Sequence, residues 1–153
     1  MRTPAAILSA AGLALGLGLS AAHAESTQFG AMTVYKDPSC GCCGAWIDHV
    51  REAGFDVTVR DTQDMHLVKG MFSVPDQLAS CHTAVIDGHV VEGHVPADTL
   101  ARYLSNPPDD TKGLAVPGMP IGSPGMEQGG TTEPYSIVTF NTDGPIGVFE
   151  NRN

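Results

Sequence analysis

Along this chain the apolar positions switch repeatedly between strict alternation and helical spacing. In AMTVYKD, Met32 and Val34 alternate with Thr33 before Asp37-Pro38-Ser39, which predicts a short strand bounded by a turn. From about Cys42 to Ala53, Trp46, Ile47 and Val50 fall on one helical face, with Asp48, His49, Arg51 and Glu52 on the other. Gly54 then closes that helix as a C-terminal cap. FDVTVRDT alternates again as a second strand, and a short helix is expected over Asp64 to Met71, ending before SVPDQ.

The clearest hairpin signal is HTAVIDGHVV, where Thr83–Ile86 and His89–Val91 flank Asp87-Gly88, a pair suited to a type I′ turn. PADTLARYLSN follows as a helix with Pro96 in its first turn and Leu100, Tyr103 and Leu104 inward. Residues from about 107 to 134 are rich in Gly and Pro without periodicity, so a long ordered loop is expected there. YSIVTF and IGVFEN, around Asn141–Pro145, form a terminal hairpin, and no internal repeat is visible.

Strand, cysteine motif at a helix start, strand, helix, hairpin, helix is a thioredoxin-like α/β order, with a mixed sheet flanked by helices. The first strand–helix–strand requires a parallel pair with a right-handed crossover, and the later hairpin adds antiparallel strands. In such an arrangement the turn entering the hairpin faces the start of the first helix. That turn is LASCHTA, so Cys81 and His82 are expected opposite Cys40, Cys42 and Cys43.

The N-terminus changes the compartment. Residues 1–24 carry Arg2, an apolar Ala/Leu/Gly run and the ending Ala22-His23-Ala24, the pattern of a secretory signal peptide. A retained membrane anchor fits less well, because the run is short and glycine-diluted and precedes a cleavage site. Residues 25–153 are then expected as a single domain of 129 residues with no membrane span. Its 7 basic against 17 acidic side chains give a net charge of −10, which repels phosphate backbones and anionic lipid and argues against nucleic-acid binding.

Export also favours thiol oxidation, yet the cysteines are not spread as a stapling framework would be. Three of the 4 lie in CGCC, and a bridge between Cys40 and Cys43 closes almost no loop. The cluster therefore looks chemical. Cys40 and Cys43 have Cys-x-x-Cys spacing, and the exposed N–H groups of a helix start favour thiolate, both the nucleophile of disulfide exchange and the form that binds metals. A dithiol oxidoreductase has no use for Cys42 between its two partners, whereas a soft-metal site gains from every sulfur. Thiolates also bridge, so four could hold more than one ion.

Zinc is disfavoured, because its Cys-rich sites pair two short chelating motifs and Cys81-His82 are adjacent. His82 abuts Cys81 as the preferred nitrogen ligand; His94 is placed at the cysteine side, where the hairpin enters the next helix. Met119 and Met126, in a loop stiffened by Pro117, Pro120 and Pro124, offer thioethers suited to Cu(I), although core packing would equally account for them. Core packing is expected of Trp46, Met65 and Met71, and surface placement of His49, His66 and His89.

CGCCGAW, SCHTAVIDG, EGHVPA and GLAVPGMPIGSPGME, in that order, resemble the CopG-type periplasmic copper-resistance proteins, a group long catalogued as a domain of unknown function. The resemblance spans about Met32 to Phe149. It implies a thioredoxin-like fold, a copper site on Cys40, Cys42, Cys43 and Cys81, and a periplasmic role in copper tolerance that interconverts Cu(I) and Cu(II). Two other readings stand beside it. One is a thiol–disulfide oxidoreductase using Cys40 and Cys43; the other is a non-enzymatic carrier that passes copper to another periplasmic copper or redox protein.

Overall fold

The structure, a computed structural model, describes residues 29–153, and the expected signal peptide lies outside them. The elements in chain order are β1 (Ala31–Lys36), α1 (Gly41–Glu52), β2 (Asp56–Asp61), α2 (Met65–Met71), a 3-10 turn (Asp76–Leu78), β3 (His82–Ile86), β4 (His89–Glu92), α3 (Ala97–Ser105), β5 (Gly113–Ala115), β6 (Tyr135–Asn141) and β7 (Gly144–Arg152). The strands form one mixed sheet in the order β2-β1-β3-β4-β5-β6-β7. β1 and β2 run parallel, β3 is antiparallel to β1, and β4 is antiparallel to β3. These senses are compatible with the thioredoxin-like expectation.

The alternation in β1 buries Met32 and Val34, while α1 buries Cys43, Trp46, Ile47 and Val50 against them. Each buried Val or Ile here contributes about 1.5–3 kcal/mol of transfer free energy. Trp46 adds a polar anchor, its Nε1 donating to the Val95 carbonyl at 2.8 Å. Asp87 and Gly88 have φ of 49° and 81°, the positive pair that a type I′ turn requires.

Several expectations need correction. The segment over 107–134 is not wholly loop, because β5 lies within it, parallel to β4 and antiparallel to β6. Gly113 permits this pairing, since a Cβ there would stand 1.8 Å from the Val90 carbonyl oxygen. Pro96 is the N-cap of α3 and not part of its first turn. The Ala97 N–H that opens α3 donates to His49 Nε2 at 3.1 Å, so His49 is half-buried as a cap and not a surface residue. His89 is likewise half-buried, its Nδ1 lying 3.0 Å from the Tyr103 hydroxyl. Met71 is 66% exposed, because α2 buries only Val68.

Candidate metal centre

Cys40 enters α1 as its N-cap, with its sulfur accepting from Cys43 N at 3.3 Å. The turn before it is fixed by the Asp37 carboxylate, which accepts from Ser39 N at 2.8 Å and from the Ser39 hydroxyl; these bonds hold Asp37 below the usual carboxylate range. Cys40 and Cys43 are joined in a disulfide, while Cys42 and Cys81 are free thiols. The Cys42 sulfur lies 3.5 Å from that of Cys40.

Cys81 sits one residue before β3, next to β1, and the sheet order carries it back to the start of α1. The sulfurs of Cys40, Cys42, Cys43 and Cys81 all lie within 4.8 Å of one another. Cys81 also belongs to a second group with His82 and His94, its sulfur 3.4 Å from His82 Nδ1 and 2.9 Å from His94 Nε2. One thiol thus joins a sulfur cluster to an imidazole pair.

The protonation states follow from the partners. His94 Nδ1 lies 2.7 Å from the Pro124 carbonyl, which can only accept, so Nδ1 carries the proton and Nε2 turns its lone pair toward Cys81. Burial holds both imidazoles below their ordinary range, with His94 and Lys69 adding to the effect at His82. Burial likewise pushes the Cys81 thiol up to about 12, with the nearby Cys42 thiol contributing. The metal-free pair is therefore neutral, with the Cys81 S–H donating to His94. His82 Nε2 is buried without a hydrogen-bond partner, and its ring rests 4.3 Å from that of Trp46.

This donor set suits a soft cation. Cysteine sulfurs and imidazoles converge, no carboxylate is among them, and the hard-cation pattern of clustered oxygens is missing from the group. A bound cation would also offset the cost of ionising Cys81.

The Gly/Pro/Met loop lies against the cysteine helix. A Cβ at Gly125 would stand 2.7 Å from the Cys42 carbonyl oxygen and 2.8 Å from Trp46 N, and φ there is +84°. The loop is further held by the Pro124–His94 bond and by Ser80 Oγ donating to the Gly118 carbonyl. Met119, next to Gly118, is 52% exposed; Met126, next to Gly125, is half-buried. The sequence reading placed Pro124 only as a loop stiffener and missed its carbonyl as the partner of His94; it also missed Glu92, a fully buried carboxylate under the Cys81 turn. Neither role carries a local signal, since His94 lies 30 residues from Pro124 and Lys69 lies 23 residues from Glu92.

The family described as "Protein of unknown function, DUF411" matches residues 78–126, which hold Cys81, His82, His94, Met119 and Met126. No curated protein matches the chain. The solved structure named "Copper resistance protein copG- Form 1" is 43% identical, with a TM-score of 0.76 over 82% of this chain and 98% of that one. "Copper resistance protein copG- Form 2" is also 43% identical, with a TM-score of 0.77 over 82% of this chain and 100% of that one.

Proposed function

The chain belongs to the CopG-type copper-resistance family, and from that membership and its donor set we propose that it is an exported, periplasmic copper-binding protein that takes Cu(I) into a thiolate cluster. The observation that carries this reading is the return of Cys81 to the Cys40–Cys43 motif, with the four sulfurs within 4.8 Å of one another. Cys40, Cys42, Cys43 and Cys81 supply the soft donors. His82 and His94 supply nitrogen, and Met119 and Met126 stand in the covering loop as thioether donors.

Copper is cargo here, or substrate if its oxidation state changes. Thiolate favours Cu(I) and imidazole suits Cu(II), so a mixed set supports their interconversion. Bridging sulfur supports more than one ion. The protein must first supply the sulfurs: reducing the Cys40–Cys43 bridge takes two electrons and two protons and yields two thiols. Each thiol that binds metal then releases its proton. An electron or copper partner in the same compartment, another copper or redox protein, fits these needs. Among the described residues no helix is long and apolar enough to cross a membrane.

One observation favours a second reading. The Cys40–Cys43 bridge at the start of α1 is the arrangement of a thiol–disulfide oxidoreductase. Anaerobic titration of the reduced protein with Cu(I) against a competing chelator, beside an insulin-reduction assay, separates the two. Tight uptake with negligible reductase activity is expected, and the reverse result would overturn the copper reading. Turnover of Cu(I) or Cu(II) above the rate of free copper marks an enzyme; stoichiometric transfer alone marks a carrier.

A further inference from the structure

An ion pair is built into the core directly behind the Cys81 turn. Glu92 is fully buried on β4, where it pairs with Thr83 of β3. Its Oε1 accepts from Lys69 Nζ and from the Ser80 amide, each at 2.6 Å, and its Oε2 accepts from the Thr83 hydroxyl at 2.6 Å. Lys69, reaching in from α2, also donates to Thr83 Oγ1 at 3.1 Å. The next amide, Gly93 N, donates to the His82 carbonyl at 3.0 Å. Residues 80, 82 and 83 are thus tied to Glu92 or its neighbour, and Cys81 is the residue between them.

Stability alone does not account for this arrangement. Desolvating a carboxylate and an ammonium is costly, and an apolar pair of similar volume commonly holds a core as well or better. What an apolar pair lacks is direction. A carboxylate that uses both oxygens fixes the Ser80 amide at one distance and angle, and a side chain displaced from the productive geometry weakens a site even when the fold survives.

We propose that Glu92, with Lys69 as its counter-ion, is a positioning residue that holds the Ser80–Thr83 turn so that the Cys81 sulfur stays among Cys40, Cys42, Cys43 and His94 before any metal arrives. The effect on copper rests on the reading given under Proposed function; the placement of Cys81 does not.

The test uses metal-free, fully reduced protein under nitrogen, treated with iodoacetamide and mapped cysteine by cysteine by mass spectrometry, beside denaturant unfolding. One variant is Lys69→Met/Thr83→Val/Glu92→Leu, which removes the polar groups together. The second is Glu92→Asp, which keeps the charge but withdraws the carboxylate from Ser80 by one methylene. Local opening of the turn should raise the labelling rate of Cys81 roughly tenfold in the triple variant and less in Glu92→Asp, with Cys42 unchanged and the unfolding midpoint retained. Wild-type labelling of Cys81 in the folded triple variant overturns the proposal. So does a rise shared equally by Cys42 and Cys81 that tracks lost global stability, the mark of a merely structural role. Should the triple variant not fold, Glu92→Asp decides by the same criteria. A Cu(I) titration of each sample separates the two claims. Selective Cys81 labelling in a protein whose wild type ignores Cu(I) leaves the positioning standing and removes the copper reading. Tight Cu(I) uptake with Cys81 protected in every variant does the opposite.

Discussion

Gly125→Ala should lift the covering loop from the cysteine helix. At φ +84° a non-glycine residue carries a conformational cost of about 1–2 kcal/mol. The new Cβ would also meet the Cys42 carbonyl oxygen at 2.7 Å and Trp46 N at 2.8 Å. Both are backbone atoms of α1 and cannot swing aside as a side chain would, so the loop must move, at about 1–3 kcal/mol for an overpacked contact. The expected loss is therefore about 2–5 kcal/mol, a large share of the roughly 5–15 kcal/mol that holds a domain folded. Gly118→Ala is the internal control: its φ is +70°, but nothing lies within 4 Å of the added Cβ, so only the conformational part should appear. Urea unfolding of the two variants isolates the packing contribution as their difference. Imidazole nitrogen NMR reads the same event locally, because the His94 Nδ1 proton held by Pro124 should become exchange-labile in Gly125→Ala alone. Equal destabilisation by both changes, with that proton still protected, would refute the packing of the loop on α1.

Other outcomes follow from the same geometry. Cys81→Ser should weaken Cu(I) binding in chelator competition almost as much as Cys42→Ser; a loss confined to the Cys40, Cys42 and Cys43 variants would remove Cys81 from the cluster. Met119→Ala, at a site 52% exposed, should change unfolding free energy by less than about 0.5 kcal/mol yet weaken Cu(I) retention in air. Unchanged affinity would leave Met119 as a surface residue. Burial lowers the His82 and His94 pKa values, so the unfolded chain binds protons near pH 6.5 that the fold resists. Metal-free protein should thus be most stable above that pH and lose stability as pH falls below it toward 5. His82→Gln should flatten the profile, and a flat wild-type profile from pH 7.5 to 5 would contradict the neutral imidazole pair.

Much of this was legible in the chain because its signals are local. Met32 and Val34 alternate, Trp46, Ile47 and Val50 share a helical face, and Asp87-Gly88 marks its own turn, so the elements bearing the cysteines could be placed in order. That order sufficed to bring Cys81 toward Cys40, Cys42 and Cys43. β5 was hidden for a physical reason: Gly113-Leu114-Ala115 is too short to show a period, and it is a strand only because β4 and β6 both supply partners. Glu92 read as one polar residue at a hairpin end, since Lys69, its counter-ion, is 23 residues away. His49 fell on the polar face of α1, and its role as a cap exists only once α3 docks there. Whether the thiols are paired was equally out of reach, because a Cys-x-x-Cys spacing permits both states.

The central claim is that Cys81, distant in sequence, shares one soft-metal site with the Cys40–Cys43 motif. Copper-edge X-ray absorption on anaerobically loaded protein tests it most directly. The account expects a sulfur-dominated shell around Cu(I) in the wild type that loses sulfur in Cys81→Ser. A shell of light atoms in the wild type, or one that Cys81→Ser leaves unchanged, would contradict it.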